Sequence, residues 1–228
     1  MGQNTKISKV LQPLADVLRP ETIDDVVGQD HLLALDKPIG RMLSSNRLSS
    51  IILWGPPGSG KTTIAQLVGK ALDFEFEAIS AVFTGKAELK NSFERAIKRR
   101  AINKHTILFV DEIHRFNRAQ QDSFLPYLES GIIILIGATT ENPSFELNSA
   151  LLSRVQVLIL KELELDALEM ILIRAEEYKG RKCPIENNLR EELCRMSDGD
   201  GRYLLNLAEE VLSLPSMPIL KKKAFDEI

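Results

Sequence analysis

A lysine ammonium, a neighbouring hydroxyl and a curl of backbone amides stand together in Gly55-Pro56-Pro57-Gly58-Ser59-Gly60-Lys61-Thr62. The stretch fits G-x-x-x-x-G-K-[ST], and its chemistry is the gripping of a polyphosphate. Glycines let successive N–H groups converge on one anion, and the N-terminus of the following helix adds partial positive charge. Lys61 is spaced to reach the β- and γ-phosphates, and the Thr62 hydroxyl to hold Mg²⁺. Gly55, Pro56, Pro57, Gly58, Ser59, Gly60, Lys61, Thr62 and Thr63 make up the expected binding segment. The apolar run Ser50–Trp54 before it and Thr63–Val68 after it supply the strand–loop–helix setting that the motif requires.

Two acids answer this loop from downstream. Ile107-Leu108-Phe109-Val110 reads as a central strand that delivers Asp111 and Glu112 to its C-terminal edge, where open α/β sheets bind their ligands. Asp111 is expected to hold Mg²⁺, with Thr62, and Glu112 to polarise an attacking water. A second strand ends in Gly137-Ala138-Thr139-Thr140, so Thr140 is a candidate for the γ-phosphate or that water. Arg154, in Leu151-Leu152-Ser153-Arg154, could be a surface residue or could point at a neighbouring molecule's nucleotide. Arg202 opens a helix after Asp198-Gly199-Asp200-Gly201, the wrong end for a cation, and an anion beside it would explain the placement. Lys61, Asp111, Glu112, Thr140, Arg154 and Arg202 are the candidate catalytic set.

Elements must position these groups. Ile51–Trp54, the alternating stretch around Phe74, Phe76 and Ala78, then Thr106–Val110, Ile132–Ile136 and Val155–Leu160 read as five strands. Helices are expected over 61–72, over 86–102 with Leu89, Phe93, Ala96 and Ile97 inward, and over 117–129. Ile23–Gly28 and Asp30–Leu35 suggest a turn into a helix. Strands alternating with helices imply an α/β fold with a parallel sheet covered on both faces. From about residue 163 the pattern changes to helices alone, over 165–179, 186–196 and 202–213. The expected organisation is an N-terminal arm (1–20), a nucleotide-binding α/β domain (21–162), a small all-helical domain (163–214) and a frayed tail (215–228).

Composition narrows the function classes. The 228 residues carry a net charge of −3, so no global basic field draws the chain to nucleic acid, and any such contact needs a local patch. Two cysteines, Cys183 and Cys194, have no zinc spacing, and His31, His105 and His114 are scattered. The longest apolar runs are too short for a membrane span. The first residues lack a signal-peptide core, and Lys6 breaks the myristoylation pattern that Gly2 could begin. A cytoplasmic setting is the expectation.

Together these residues resemble the AAA+ ATPases of the clamp-loader-like branch. Leu14–Pro20, Val26–Leu32, Asp111-Glu112-Ile113-His114-Arg115-Phe116-Asn117 and, most specifically, Gly137–Asn148 look like the replication-associated recombination protein A family, over roughly residues 11–214. The resemblance implies a AAA+ P-loop core with a five-stranded parallel sheet and a small all-α lid. Gly55–Thr62 would be Walker A, Asp111 and Glu112 Walker B, and Thr140 sensor 1. Arg154 would be the arginine finger and Arg202 sensor 2 on the lid. Leu18, Arg19, Pro20, Val27 and Gly28 would wrap the adenine. The family implies ATP and Mg²⁺, and DNA-dependent ATPase activity at stalled forks and single-strand/double-strand junctions. It also implies single-strand-binding protein as a candidate partner, a homo-oligomer (a tetramer), and a nucleoid-associated, membrane-free location. Two departures stand out. The family carries a C-terminal helical region that builds the tetramer, whereas this sequence stops just past the lid. Gly201-Arg202-Tyr203 stands where Ala-Arg-Arg is usual.

DNA contact is sought in local patches: Arg95, Lys98, Arg99, Arg100 and Lys104 at one helix end, Arg115 and Arg118 after Walker B, and Lys86 after the second strand. The first group reads chiefly as a solvated face at a helix C-terminus; Lys86, Arg115 and Arg118 are the candidates carried forward. Two alternatives stand beside the DNA-dependent ATPase: a truncated, non-catalytic ATP-gated binding module, and a small-molecule P-loop kinase, against which the Asp111-Glu112 pair and Arg154 argue. Guanine recognition is disfavoured, since Asn103-Lys104 is followed by Thr106 in place of an Asp.

Overall fold

A computed structural model describes residues 12–215; Met1–Lys6 and the expected tail beyond Pro215 lie outside them. A short helix, α1 (Leu14–Val17), is followed by a 3₁₀ turn (Ile23–Asp25), α2 (Asp30–Leu33) and α3 (Pro38–Ser44). Then come β1 (Ile51–Trp54), α4 (Lys61–Ala71), β2 (Glu75–Ser80), α5 (Lys86–Ala101) and β3 (Thr106–Asp111). A second 3₁₀ turn (Ile113–Arg115), α6 (Arg118–Asp122) and α7 (Leu125–Glu129) lead to β4 (Ile133–Thr139). After α8 (Pro143–Glu146), α9 (Ser149–Leu152) and β5 (Gln156–Ile159), the described chain adds three helices: α10 (Leu165–Lys179), α11 (Asn187–Met196) and α12 (Gly201–Ser213). No described helix is long and apolar enough to cross a membrane.

The chain forms two compact units. Among the described residues, one is Gln29–Lys161; the other joins residues 12–28 with residues 162–215. This division differs from the expected boundaries at residues 20 and 21, and the reason is apolar burial. Leu14 is only 1% exposed and belongs to the same cluster as Leu172, Leu204, Ala208 and Val211, with Leu18 and Val27 packed against it. The Leu14 N–H donates to the Glu209 carboxylate (3.1 Å), and the Arg174 guanidinium donates to the Asp25 carbonyl. What reads as a polar arm is, from Leu14 on, part of the helical core.

In the first unit the five strands are all parallel, in the order β2-β3-β4-β1-β5, as the α/β pattern leads one to expect. Both faces of β3 are buried. Leu108 and Val110 pack with Phe93, Phe124 and Ile113, while Phe109 stacks on Phe76 on the other face (5.8 Å between centroids). A strand covered on both sides loses the period-two alternation and reads as a continuous apolar run. Beneath α5, Leu89, Ser92, Phe93 and Ala96 are buried; Ile97 is 43% exposed, so the expected inward Ile97 is replaced by Ser92, one turn earlier on the stripe.

The expected helix over 117–129 divides at Ser123–Phe124. Pro126, in the first turn of α7, has no N–H and its ring would clash with the Asp122 carbonyl in a continuous helix. Asn117 caps α6 through a reciprocal pair: Gln120 N–H donates to Asn117 Oδ1 (3.0 Å) and Asn117 N–H to Gln120 Oε1 (3.1 Å). Helix α3 carries its own start signal, Pro38 in its first turn.

The helical unit buries an ion pair. Arg190 donates to both carboxylate oxygens of Glu176 (2.5 and 3.0 Å), and the Cys183 N–H donates to Oε1 (2.8 Å). Burial pushes the Glu176 carboxyl up, but these hydrogen bonds outweigh it and hold the group below its ordinary value. Burial also pushes the free Cys183 thiol up to about 12 and Cys194 to about 11. Both stay protonated and unreactive at neutral pH.

Gly137 leaves no room for a side chain in the sheet. It is level with both Ile52 and Val110, and a Cβ there would lie 2.6 Å from Ile52 Cδ1 and 2.9 Å from Ile113 Cδ1. Gly137→Ala is therefore expected to destabilise the protein by about 1–3 kcal/mol through overpacking. The check is the urea midpoint; an unchanged midpoint would show that Ile113 moves aside freely.

Candidate functional site

The phosphate loop is shaped by residues that only fold this way with glycine. Gly58 and Gly60 have φ of +63° and +98°, the left-handed region that side chains resist. Gly60 is the N-cap of α4, and its carbonyl accepts the first helical bond, from Ile64 N–H (2.8 Å). Lys61, the first residue of α4, is 9% exposed, and its ammonium donates to the carbonyls of Gly55 and Pro56 at 2.7 Å each. The Ser59 hydroxyl also donates to Pro56 O (2.8 Å). The loop thus holds its own cation over its backbone, beside the N–H groups that the first turn of a helix leaves without helical partners.

Gln29 has no role among the sequence-based expectations. It is fully buried, and its amide donates to Lys161 O (2.8 Å) and reaches Ser59 O (3.4 Å), while its Oε1 accepts from Lys161 N–H (3.2 Å). One side chain therefore ties the loop to the chain leaving β5.

The acids open on the same edge as the loop. All five strands run in one direction, and β3 is separated from β1 only by β4, so Asp111 lies about 10 Å from the end of β1 across the sheet, two strand spacings. Ser80, at the end of β2, pairs with Asp111. Glu112 has φ +52°, and this left-handed turn reverses the chain into the 3₁₀ turn that buries Ile113. Its carboxylate Oε2 is 3.3 Å from His114 Nδ1. His114 Nδ1 is also 2.9 Å from Thr139 Oγ1. Thr139 is fully buried and engaged with the Glu141 backbone, whereas the half-exposed Thr140 hydroxyl has no hydrogen bond among the described residues. Of the adjacent threonines, Thr140 has its side chain available to a ligand.

Thr62 and Asp111 contribute a hydroxyl and a carboxylate, hard oxygens suited to Mg²⁺. Among the described residues no three His, Cys, Asp or Glu cluster as a metal cage. Arg154 is held by its own unit: Nε donates to Glu129 Oε1 (2.8 Å), and Nη1 donates to Ala150 O (2.7 Å) and Ser153 Oγ (3.0 Å).

The remaining candidates lie in the helical unit. Gly28 has φ +77°, and a Cβ there would be 2.8 Å from Leu163 Cδ2. Leu18 and Val27 pack against the helical core, and Arg19, next to Pro20, donates to Asp16 (2.9 Å). Arg202 Nη2 lies 3.6 Å from the same Asp16 carboxylate.

Candidate basic residues divide by pairing. Arg95 and Arg99 both pair with Glu77 (2.6 and 2.5 Å) and Lys104 with Glu75 (2.5 Å). Lys86, Arg115 and Arg118 are exposed and form no ion pair among the described residues.

Residues 51–163 match the family model of the AAA proteins, the ATPase family associated with various cellular activities. The chain is 44% identical over 227 residues to replication-associated recombination protein A of Escherichia coli K12, covering 95% of this chain and 51% of that protein. It is 48% identical to the protein of the same name from Coxiella burnetii, covering 86% of this chain and 46% of that one. With the ATPase WRNIP1 of Dictyostelium discoideum it shares 43% identity over 88% of this chain and 23% of the relative. The chain thus spans about half the length of the first two relatives. Among solved structures, the RuvB Holliday junction branch migration motor of Thermotoga maritima superposes with a TM-score of 0.73 at 25% identity, over 92% of this chain and 71% of that one.

Gln29→Leu keeps the volume but leaves buried backbone groups of Ser59 and Lys161 without their amide partner. Each such loss costs about 1–3 kcal/mol. The thermal midpoint should fall by several degrees and nucleotide affinity by about tenfold, an amount equal to about 1.4 kcal/mol. Calorimetry on the variant reads both; unchanged affinity would mean that the loop holds its shape without Gln29.

Proposed function

The chain belongs to the AAA+ ATPases of the replication-associated recombination protein A family, and from that premise we propose that it binds ATP with Mg²⁺, hydrolyses it under the control of DNA, and serves replication-fork maintenance, recombination and repair. The observation that carries the reading is the shared sheet edge: Lys61 in its loop, and Asp111 with Glu112 at the end of β3.

Each residue takes a role that its chemistry suits. Lys61 and the loop amides hold the β- and γ-phosphates. Thr62 and Asp111 hold Mg²⁺, which when bound neutralises phosphate charge. Glu112 orients and polarises the attacking water, with Thr140 bonding that water or the γ-phosphate. Arg154 is the finger offered to a neighbouring copy's nucleotide, so the working form is a homo-oligomer. Leu18, Arg19, Pro20, Val27 and Gly28 contact the adenine, and Arg202, in the helical unit acting as lid, senses the nucleotide; these last roles rest on the family resemblance.

DNA binding is assigned to Lys86, Arg115 and Arg118. They retain their full charge for phosphates, whereas Arg95, Arg99 and Lys104 are neutralised by Glu77 and Glu75. The preferred ligand is a fork or a single-strand/double-strand junction, with single-strand-binding protein as a partner and a nucleoid-associated place in the cytoplasm.

Lys61→Ala should weaken ATP binding at least about a hundredfold, while Glu112→Gln should bind ATP within about threefold of the parent and lose about 10²–10⁴ in turnover. Fluorescent-ATP binding and phosphate release with forked DNA measure the two. Full turnover by Glu112→Gln protein removes the assignment of the base. ATP binding by a monomer that never turns over, with or without DNA, would instead favour a nucleotide-gated binding module.

The double change Arg115→Ala with Arg118→Ala should lower the slope of log affinity against log salt by about 2 on duplex DNA. Fluorescence anisotropy across a salt series checks it; an unaltered slope places the DNA elsewhere.

A further inference from the structure

His114 is a buried ring that none of the proposed roles uses. Its side chain is 8% exposed, unusual for a polar group in a 3₁₀ turn beside the site. Its Nδ1 stands between two oxygens, 2.9 Å from Thr139 Oγ1 and 3.3 Å from Glu112 Oε2.

Hydrogen-bond accounting favours one tautomer of the ring. The Thr139 hydroxyl oxygen accepts from Glu141 N–H (3.0 Å), and its own hydrogen is within reach of Glu141 O (3.2 Å). With that hydrogen on Glu141 O, the hydroxyl offers the imidazole a lone pair, and Nδ1 carries the proton and donates. The second oxygen facing that N–H belongs to a carboxylate, which can only accept. Both neighbours demand the same proton at the same atom.

We propose that His114 is a positioning residue: its Nδ1–H, oriented by Thr139, steers Oε2 of Glu112 and leaves Oε1 to face the water. The inference rests on the reading of Glu112 as the base. It also links two strand ends. Thr139 precedes Thr140 at the end of β4, and Glu112 follows the end of β3. A shift at Thr140 on engaging the γ-phosphate would pass through Thr139 and the ring to the carboxylate, a physically contiguous route of two polar contacts. Contacts of this kind shorten when reactants are in place, and the 3.3 Å approach to Glu112 is the one with room to do so.

The experiment uses the full 228-residue chain with ATP, Mg²⁺ and forked DNA. His114→Phe keeps a planar ring and removes the donor; His114→Asn keeps an N–H near the Nδ1 position. Expected for His114→Phe are a native melting temperature within a few degrees, ATP affinity within about threefold, and a single-turnover rate lower by about 10–100-fold. His114→Asn should recover at least half of that loss on a logarithmic scale. Combined with Glu112→Gln, His114→Phe should add no further loss, because the group it steers is gone. A parental rate in folded His114→Phe protein, a full additional loss on the Glu112→Gln background, or no recovery by Asn would each overturn the proposal. Normal turnover by Glu112→Gln alone would instead overturn the assignment of the base. A readout independent of turnover is the long-range ¹H–¹⁵N spectrum of the ring. The Nδ1–H tautomer is expected, with its signal moved by Thr139→Val; the Nε2–H tautomer overturns the proposal even in protein that hydrolyses nothing.

Discussion

The close approach at Gly137 is the constraint from which the site follows. Level with Val110 on one side and Ile52 on the other, it leaves a gap in the sheet surface that Ile113 fills. Ile113 is wholly buried, and to reach that gap the chain must reverse immediately after Asp111. Glu112 takes up the reversal in the left-handed region, at a cost of about 1–3 kcal/mol for a non-glycine residue. Burying a side chain such as Ile113 contributes about 1.5–3 kcal/mol, enough to hold the strained turn. The carboxylate therefore sits at the sheet edge because an apolar side chain two residues away from Asp111 is anchored in the core. Glu112 and the core are one mechanical unit.

Charge on this unit is sorted more than it is concentrated. Two carboxylates on β2, Glu75 and Glu77, absorb three of the five cations at the end of α5. Burial alone would raise the Glu77 carboxyl, but hydrogen bonds from Arg95, Ser92 and Arg99 hold it below its ordinary value, so it stays ionised and keeps both arginines occupied. The exposed Lys104–Glu75 pair adds little to stability. The three pairs act on the field: they neutralise three of the cations at the end of α5, while Lys86, Arg115 and Arg118 have no carboxylate partner among the described residues. A chain with net charge −3 can then attract phosphate locally without a global basic character.

Much of this was legible in the residues. The loop at Gly55–Thr62 and the acids at 111 and 112 are spaced by chemistry that tolerates few substitutes, and each follows a buried strand that apolar runs announce. The five parallel strands came from the same runs. Other features depended on distant packing and left weak local traces. Leu14 reads as part of an amphipathic arm, and only the helices some 190 residues later show that it is core. Ile97 fits the stripe of α5, but Phe93 packs edge-on against Phe124, with rings 5.4 Å apart, and the helix leaves Ile97 outside. The split at Ser123–Phe124 was marked by Pro126, a signal overridden by the apolar period around it. Gln29 and His114 carry ordinary side chains whose roles exist only in three dimensions, where a loop and a strand end supply their partners.

Arg154 shows how a group can be prepared without being committed. Its guanidinium is aimed by Glu129, Ala150 and Ser153, which removes most of the rotamer freedom that an exposed arginine would otherwise lose on meeting a phosphate. The Glu129 pair is solvent-exposed, with side chains 36% and 55% accessible, so it is worth only about 0–1 kcal/mol. An arginine held that weakly can exchange one carboxylate for a more highly charged phosphate at small cost, while the Ala150 carbonyl keeps the planar fork oriented. The fixed half of the site, Lys61 with Asp111 and Glu112, is locked by buried packing. On the role proposed for Arg154, its surface contact is one that a neighbouring molecule's nucleotide would outcompete. That difference in holding strength would make turnover depend on assembly.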